Sequence, residues 1–75
     1  MSKARVFVSL KATVLDPQGQ AVRSALNGLG HSTIRDVRQG KVFEVEYDHE
    51  ANLEAIARDV LTNPVIEDYR IEYLQ

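Results

Sequence analysis

Few side chains in this 75-residue sequence could do chemistry, and each lacks the company it would need. The two histidines, His31 and His49, sit at opposite helix boundaries with no ligand spacing between them, so a metal centre is not expected. Cysteine is absent, which removes a thiol nucleophile, thiolate ligands and disulfides. Ser24 and Ser32 have no motif that would bring a base to their hydroxyls. The glycine-bearing stretch L-N-G-L-G, Leu26 to Gly30, closes a helix and does not open one, so it lacks the amide geometry that cradles phosphate. Arg35, Arg38 and Lys41 could form a basic patch, although three exposed cations also suit an ordinary soluble surface. The expectation is a chain with no catalytic, cofactor-binding or metal-binding residue of its own.

The elements that would carry these residues alternate in period. Lys3 to Lys11 places Val6, Val8 and Leu10 on one face and Arg5, Ser9 and Lys11 on the other, which predicts a half-buried strand. Asp16-Pro17 then starts a helix: the carboxylate can accept orphan N–H groups, and proline at the first position loses no hydrogen bond. Ala21, Val22, Ala25, Leu26 and Leu29 form its apolar stripe, and Gly30 can adopt the left-handed conformation that ends it. Gly19 stands in the first turn at a cost of about 1 kcal/mol relative to alanine. Either something packs against its backbone, or the helix begins loosely there.

A hairpin is predicted next, with Ile34–Arg38 and Lys41–Tyr47 as arms and Gln39-Gly40 as the turn. Phe43, Val45 and Tyr47 face one way, and Val42, Glu44 and Glu46 the other. Ile34 and Val37 have opposite parity, which a bulge or a strand start at Arg35 would resolve. Asp48 or His49 is expected to cap a second helix with the stripe Leu53, Ile56, Ala57, Val60 and Leu61. Asn63-Pro64 stops it, and a last strand puts Tyr69, Ile71 and Tyr73 on one face.

The order β-α-β-β-α-β predicts an α+β two-layer sandwich over residues 1–75: a four-stranded antiparallel sheet with two helices on one face, ferredoxin-like or a close variant. The other face would show Arg5, Phe7, Ser9 and Lys11, then Val42, Glu44 and Glu46, then Ile66, Asp68, Arg70, Glu72 and Leu74. Opposite charges across strands are worth about 0.2–1 kcal/mol per pair. That mixed surface suits a protein interface or a solvated face. It does not suit RNA, because Glu44 and Glu46 would stand where bases and phosphates must lie. An acylphosphatase-like activity would need an arginine in the loop A-T-V-L-D-P, which has none.

A domain this short buries only roughly 60% of the surface its unfolded chain exposes. Without disulfides or metal, regular packing and self-association are the remaining supports. The chain is 44% hydrophobic and 27% charged with a net charge of −2, so neither nucleic acid nor an anionic membrane attracts it in bulk. The apolar run Val6 to Leu10 is too short for a signal peptide or a membrane span. A cytoplasmic oligomer is expected.

Three stretches carry a resemblance: V-L-D-P-Q-G-Q-A-V (14–22), V-R-Q-G-K-V-F-E-V-E (37–46) and N-P-V-I-E-D-Y-R-I-E (63–72). Together they resemble the PurS family, the small subunit of phosphoribosylformylglycinamidine synthase. The resemblance implies a homodimer or higher oligomer that bridges a glutaminase subunit and an ATP-dependent synthetase subunit and supports ammonia transfer. ATP and glutamine would be used by the complex and not bound by this chain. Asp16, Pro17, Gln18 and Gly19 match the first segment, Arg38, Gly40 and Lys41 the second, and Asn63, Pro64, Glu67 and Tyr69 the third. The first two groups are candidate partner contacts; the third suits architecture. One departure is Ala12-Thr13, where the family usually has a glycine before V-L-D-P. The rival reading is a ferredoxin-like regulatory module that binds a small molecule.

Overall fold

A computed structural model describes residues 2–48 and 51–74. Strand β1 (Ser2–Leu10) is the middle of a three-stranded antiparallel sheet, with β2 (Gly40–Tyr47) and β3 (Glu67–Tyr73) on its flanks. Val6 lies opposite Phe43 on one side and Ile71 on the other. The register therefore collects Ala4, Val6, Val8, Phe43, Val45, Tyr69 and Ile71 on one face, as period-two alternation requires. Ala4, Val6 and Val8 are buried, and burying a valine fully contributes about 1.5–3 kcal/mol.

The cover of that face is the second helix, α2 (Leu53–Ile56), which runs on into a π-helical turn (Ala57–Leu61). Leu53 and Ala57 are buried, and Ala57 packs on Val6 and Val8. Val60, expected in the apolar stripe, is 76% exposed; the wider π turn rotates it off the face that a regular α-helix would bury. Asn52 caps α2, its side chain accepting the Ala55 N–H at 3.1 Å. This corrects the expected cap at Asp48, whose carbonyl instead accepts the Ala51 N–H; His49 lies outside the described residues. The Tyr69 hydroxyl donates to Glu54 Oε2 at 2.9 Å and fastens the helix to β3.

The expected fourth strand is absent among the described residues. Ile34–Arg38 form no ladder, because residues 37–39 are tied to the segment before the first helix and not to β2. The observed sheet has three antiparallel strands in the order β2-β1-β3, in place of the four expected.

The second correction concerns α1 (Pro17–Gly28). Its ends form as expected: Asp16 caps the start, Pro17 opens it, and Gly30 ends it at a φ of 101°. Gly30 N–H reaches the Asn27 carbonyl and His31 N–H the Leu26 carbonyl, which is a Schellman closure. Yet α1 does not pack on the sheet: Gly19 is its only buried residue. It stands out as an arm, giving extents of 49 × 25 × 13 Å and a radius of gyration of 15.6 Å, against roughly 11 Å for a compact chain of this length. Val22 is 41% and Leu29 78% exposed. The apolar stripe has formed, and its own sheet does not cover it.

Candidate interaction site

The three sequence segments singled out above converge at one end of the sheet, where α1 departs. Asp16 is the centre. Its carboxylate, 3% exposed, accepts the Gly19 N–H at 2.8 Å through Oδ1 and the Gln39 N–H at 2.7 Å through Oδ2. These bonds, Gln39's before Gly19's, hold its carboxyl below the usual carboxylate range, with the Arg38 charge adding to them.

Gly19 is explained here. A Cβ on it would lie 2.1 Å from the Val37 carbonyl oxygen, so only glycine lets the first turn of α1 approach residues 37–39. Gly40 answers a similar demand in β2, where a Cβ would come within 2.5 Å of the Val8 carbonyl. Arg38 closes the arrangement from outside: one guanidinium nitrogen, Nη2, donates to the Lys11 and Val14 carbonyls, each at 3.0 Å. Gln39 Nε2 donates to Gln18 Oε1 at 2.7 Å.

The third segment joins through Glu67. Its Oε1 accepts the Asn63 N–H at 2.8 Å, and its Oε2 faces Lys41 Nζ at 3.8 Å. Pro64 lies in the turn before β3. Between Asp16, Gln18, Gln39, Lys41 and Glu67 lies an open cavity of about 240 Å³.

Of the residues the sequence proposed as partner contacts, Pro17, Gln18, Arg38, Gly40 and Lys41 are exposed, whereas Asp16 and Gly19 are buried. The site thus presents an outer layer held by an inner pair. Gln39 is a member that sequence reasoning missed as anything but a turn residue; its part is played by a backbone N–H, for which side-chain patterns give no signal. The site's polar groups largely bond to one another. Among the described residues, no group of histidine, aspartate and glutamate side chains could hold a metal ion.

The open sheet face is laced by charge. Arg5 reaches Glu44 at 3.2 Å and Glu72 at 3.6 Å, and Lys11 reaches Asp68 at 3.0 Å. Arg70 stacks over the Phe7 ring at 4.3 Å.

The family model described as PurS, phosphoribosylformylglycinamidine (FGAM) synthase, matches residues 3–75. The chain belongs to the PurS family. Its likeness to individual PurS proteins runs end to end. It is 53% identical to the phosphoribosylformylglycinamidine synthase subunit PurS of Mycobacterium leprae, over 95% of this chain and 94% of that one. The C2 crystal form of Bacillus subtilis PurS superposes with a TM-score of 0.92 at 40% identity, covering both chains completely. A chain in the structure of PurLQS from Thermotoga maritima matches with a TM-score of 0.78 at 25% identity, over 97% of this chain and 96% of that one. The resemblance drawn from the three segments holds. No helix among the described residues is long and apolar enough to cross a membrane.

Proposed function

We propose that this chain is the non-catalytic assembly subunit of phosphoribosylformylglycinamidine synthase in de novo purine biosynthesis, a cytoplasmic ligase complex. It binds neither ATP nor glutamine; the complex uses both. The observation that carries this reading is the arm: an apolar helical stripe is built and left uncovered by its own sheet, beside polar groups that bond to one another. Such a chain acts by touching other proteins.

Its first partner is a second copy of itself. The covered sheet face has one helix over it, and Tyr73 at its margin is 57% exposed. The stripe of α1 is the missing apolar layer, but it projects away from its own sheet. Two copies can bring each arm onto the other's sheet, which restores two helices per sheet and supplies the core that a chain of this size lacks.

The exposed outer layer of the site, Pro17, Gln18, Arg38, Gly40 and Lys41, then meets the synthetase or the glutaminase subunit. The Thermotoga relative belongs to such an assembly. Ammonia moving between two active sites must be shielded from water and protons, so a docking element matters without doing chemistry.

The test is reconstitution. Mixed glutaminase and synthetase subunits should convert formylglycinamide ribonucleotide with glutamine and ATP only when this chain is added, and the chain alone should turn over nothing. Full glutamine-dependent activity in its absence overturns the proposal.

A further inference from the structure

An arm that does not pack on its sheet needs something else to set its direction. Here that is a small group of polar bonds at its root. Within the chain, Gly19 is the only residue of α1 that is buried. Its first turn is instead held to residue 39 through one carboxylate, whose two oxygens take the Gly19 and Gln39 N–H groups at 2.8 and 2.7 Å. The Arg38 guanidinium braces the approach loop at the Lys11 and Val14 carbonyls. Lys11, in turn, is anchored to the β3 side of the sheet by its N–H on the Ile66 carbonyl at 2.8 Å and its ammonium on Asp68.

We propose that Asp16, working through Gly19 and Gln39, locks the angle at which α1 leaves the sheet, and that this lock sets how tightly two copies associate. The inference rests on the reading of the α1 stripe as the surface that meets a second copy. Asp16 is a positioning residue. At 3% exposure it offers no surface to a partner, and the hydrophobic cluster of Val6, Val8 and Ala57 does not include it. Breaking the lock should therefore leave the sheet and α2 folded and free the arm. A free arm must be ordered when copies meet, and that cost lowers affinity.

Two substitutions open the lock by opposite routes. Asp16→Asn keeps the shape but replaces one acceptor oxygen with a donor. Gly19→Ala keeps the carboxylate and forces the helix away from the Val37 carbonyl, which its Cβ would approach to 2.1 Å. Because alanine is the better helix former, loosening in Gly19→Ala cannot come from a weaker helix. The chain has no cysteine, so spin labels at Ser32→Cys on the arm side and Glu46→Cys on the sheet read the arm's direction cleanly. Doubly labelled protein is diluted into unlabelled protein so that only distances within one chain are seen.

The lock predicts one narrow distance distribution in the otherwise wild-type chain and broad distributions in Asp16→Asn and Gly19→Ala. Association by sedimentation should weaken at least ten-fold, while amide protection of β1 and α2 stays unchanged. Wild-type distances in both variants overturn the proposal, and so do broad distances with wild-type association. Val22→Asp, which leaves the lock intact, tests the stripe alone. Wild-type association in Val22→Asp removes the stripe reading. Loss of association there, with wild-type association in the two lock variants, removes the lock and leaves the stripe.

Discussion

Asn63 and Glu67 hold each other across the turn into β3: the Asn63 N–H donates to Glu67 Oε1 and the Glu67 N–H to the Asn63 carbonyl, both at 2.8 Å. The Asn63 side chain also accepts the Val65 N–H at 3.1 Å. The N-P-V-I-E sequence is thus a self-bonded turn, with proline barring any continuation of the helix before it.

Glu67→Ala should destabilise the protein by about 1.5–3 kcal/mol, the range for a hydrogen bond to a charged group. Lys41→Ala should cost less than about 1 kcal/mol, because its pairing with Glu67 at 3.8 Å is loose and Lys41 is exposed. Urea unfolding of both variants at one protein concentration checks the order. Equal losses would mean that the ion pair, and not the turn, is what Glu67 supplies.

Ala57 is fully buried against Val6 and Val8. Ala57→Leu should cost about 1–3 kcal/mol through overpacking. On the opposite face, Arg5→Met should change stability by less than about 1 kcal/mol, since Arg5, Glu44 and Glu72 are each substantially exposed. Thermal unfolding separates the two faces directly.

Acid should act on the arm's root. The Asp16 carboxyl is held low by the Gln39 and Gly19 N–H groups. A depressed folded-state value means its contribution is complete above the ordinary aspartate value of about 3.9 and is lost as pH falls through the lower, folded value. The amide resonances of Gly19 and Gln39 should therefore shift together below about pH 4 and be flat through neutrality, and Asp16→Asn should abolish the transition. A shared transition near neutral pH would contradict the bonding described.

Much of the fold was legible because its signals are local. Alternation in Val6-Val8 and Phe43-Val45, the Asp16-Pro17 start and the Gly30 stop each depend on neighbours in sequence, and each appears as read. The missed hairpin shows where such reading ends. Residues 34–38 look like a strand, but the Gln39 N–H goes to Asp16 and the Val37 carbonyl lies against Gly19, partners far away in sequence. Asn52, directly before Leu53, is the cap, but Asp48 a few residues earlier offers the same kind of side-chain acceptor in the sequence. The π turn could not be read, since the stripe from Leu53 to Leu61 fits a regular helix equally well. Resemblance marks Asp16, Gly19, Arg38 and Lys41 but not Gln39, and the division into a buried pair and an exposed layer needs the third dimension. That α1 would leave its own sheet uncovered is invisible to periodicity, which reports that a helix has an apolar side and not whose sheet it meets.

Sedimentation equilibrium of the isolated 8.4 kDa chain bears most directly on the uncovered arm. At micromolar concentration the mass should be at least double that of one chain, and Val22→Asp should return it to a single chain. A wild-type protein that sediments as 8.4 kDa throughout that range would contradict the account.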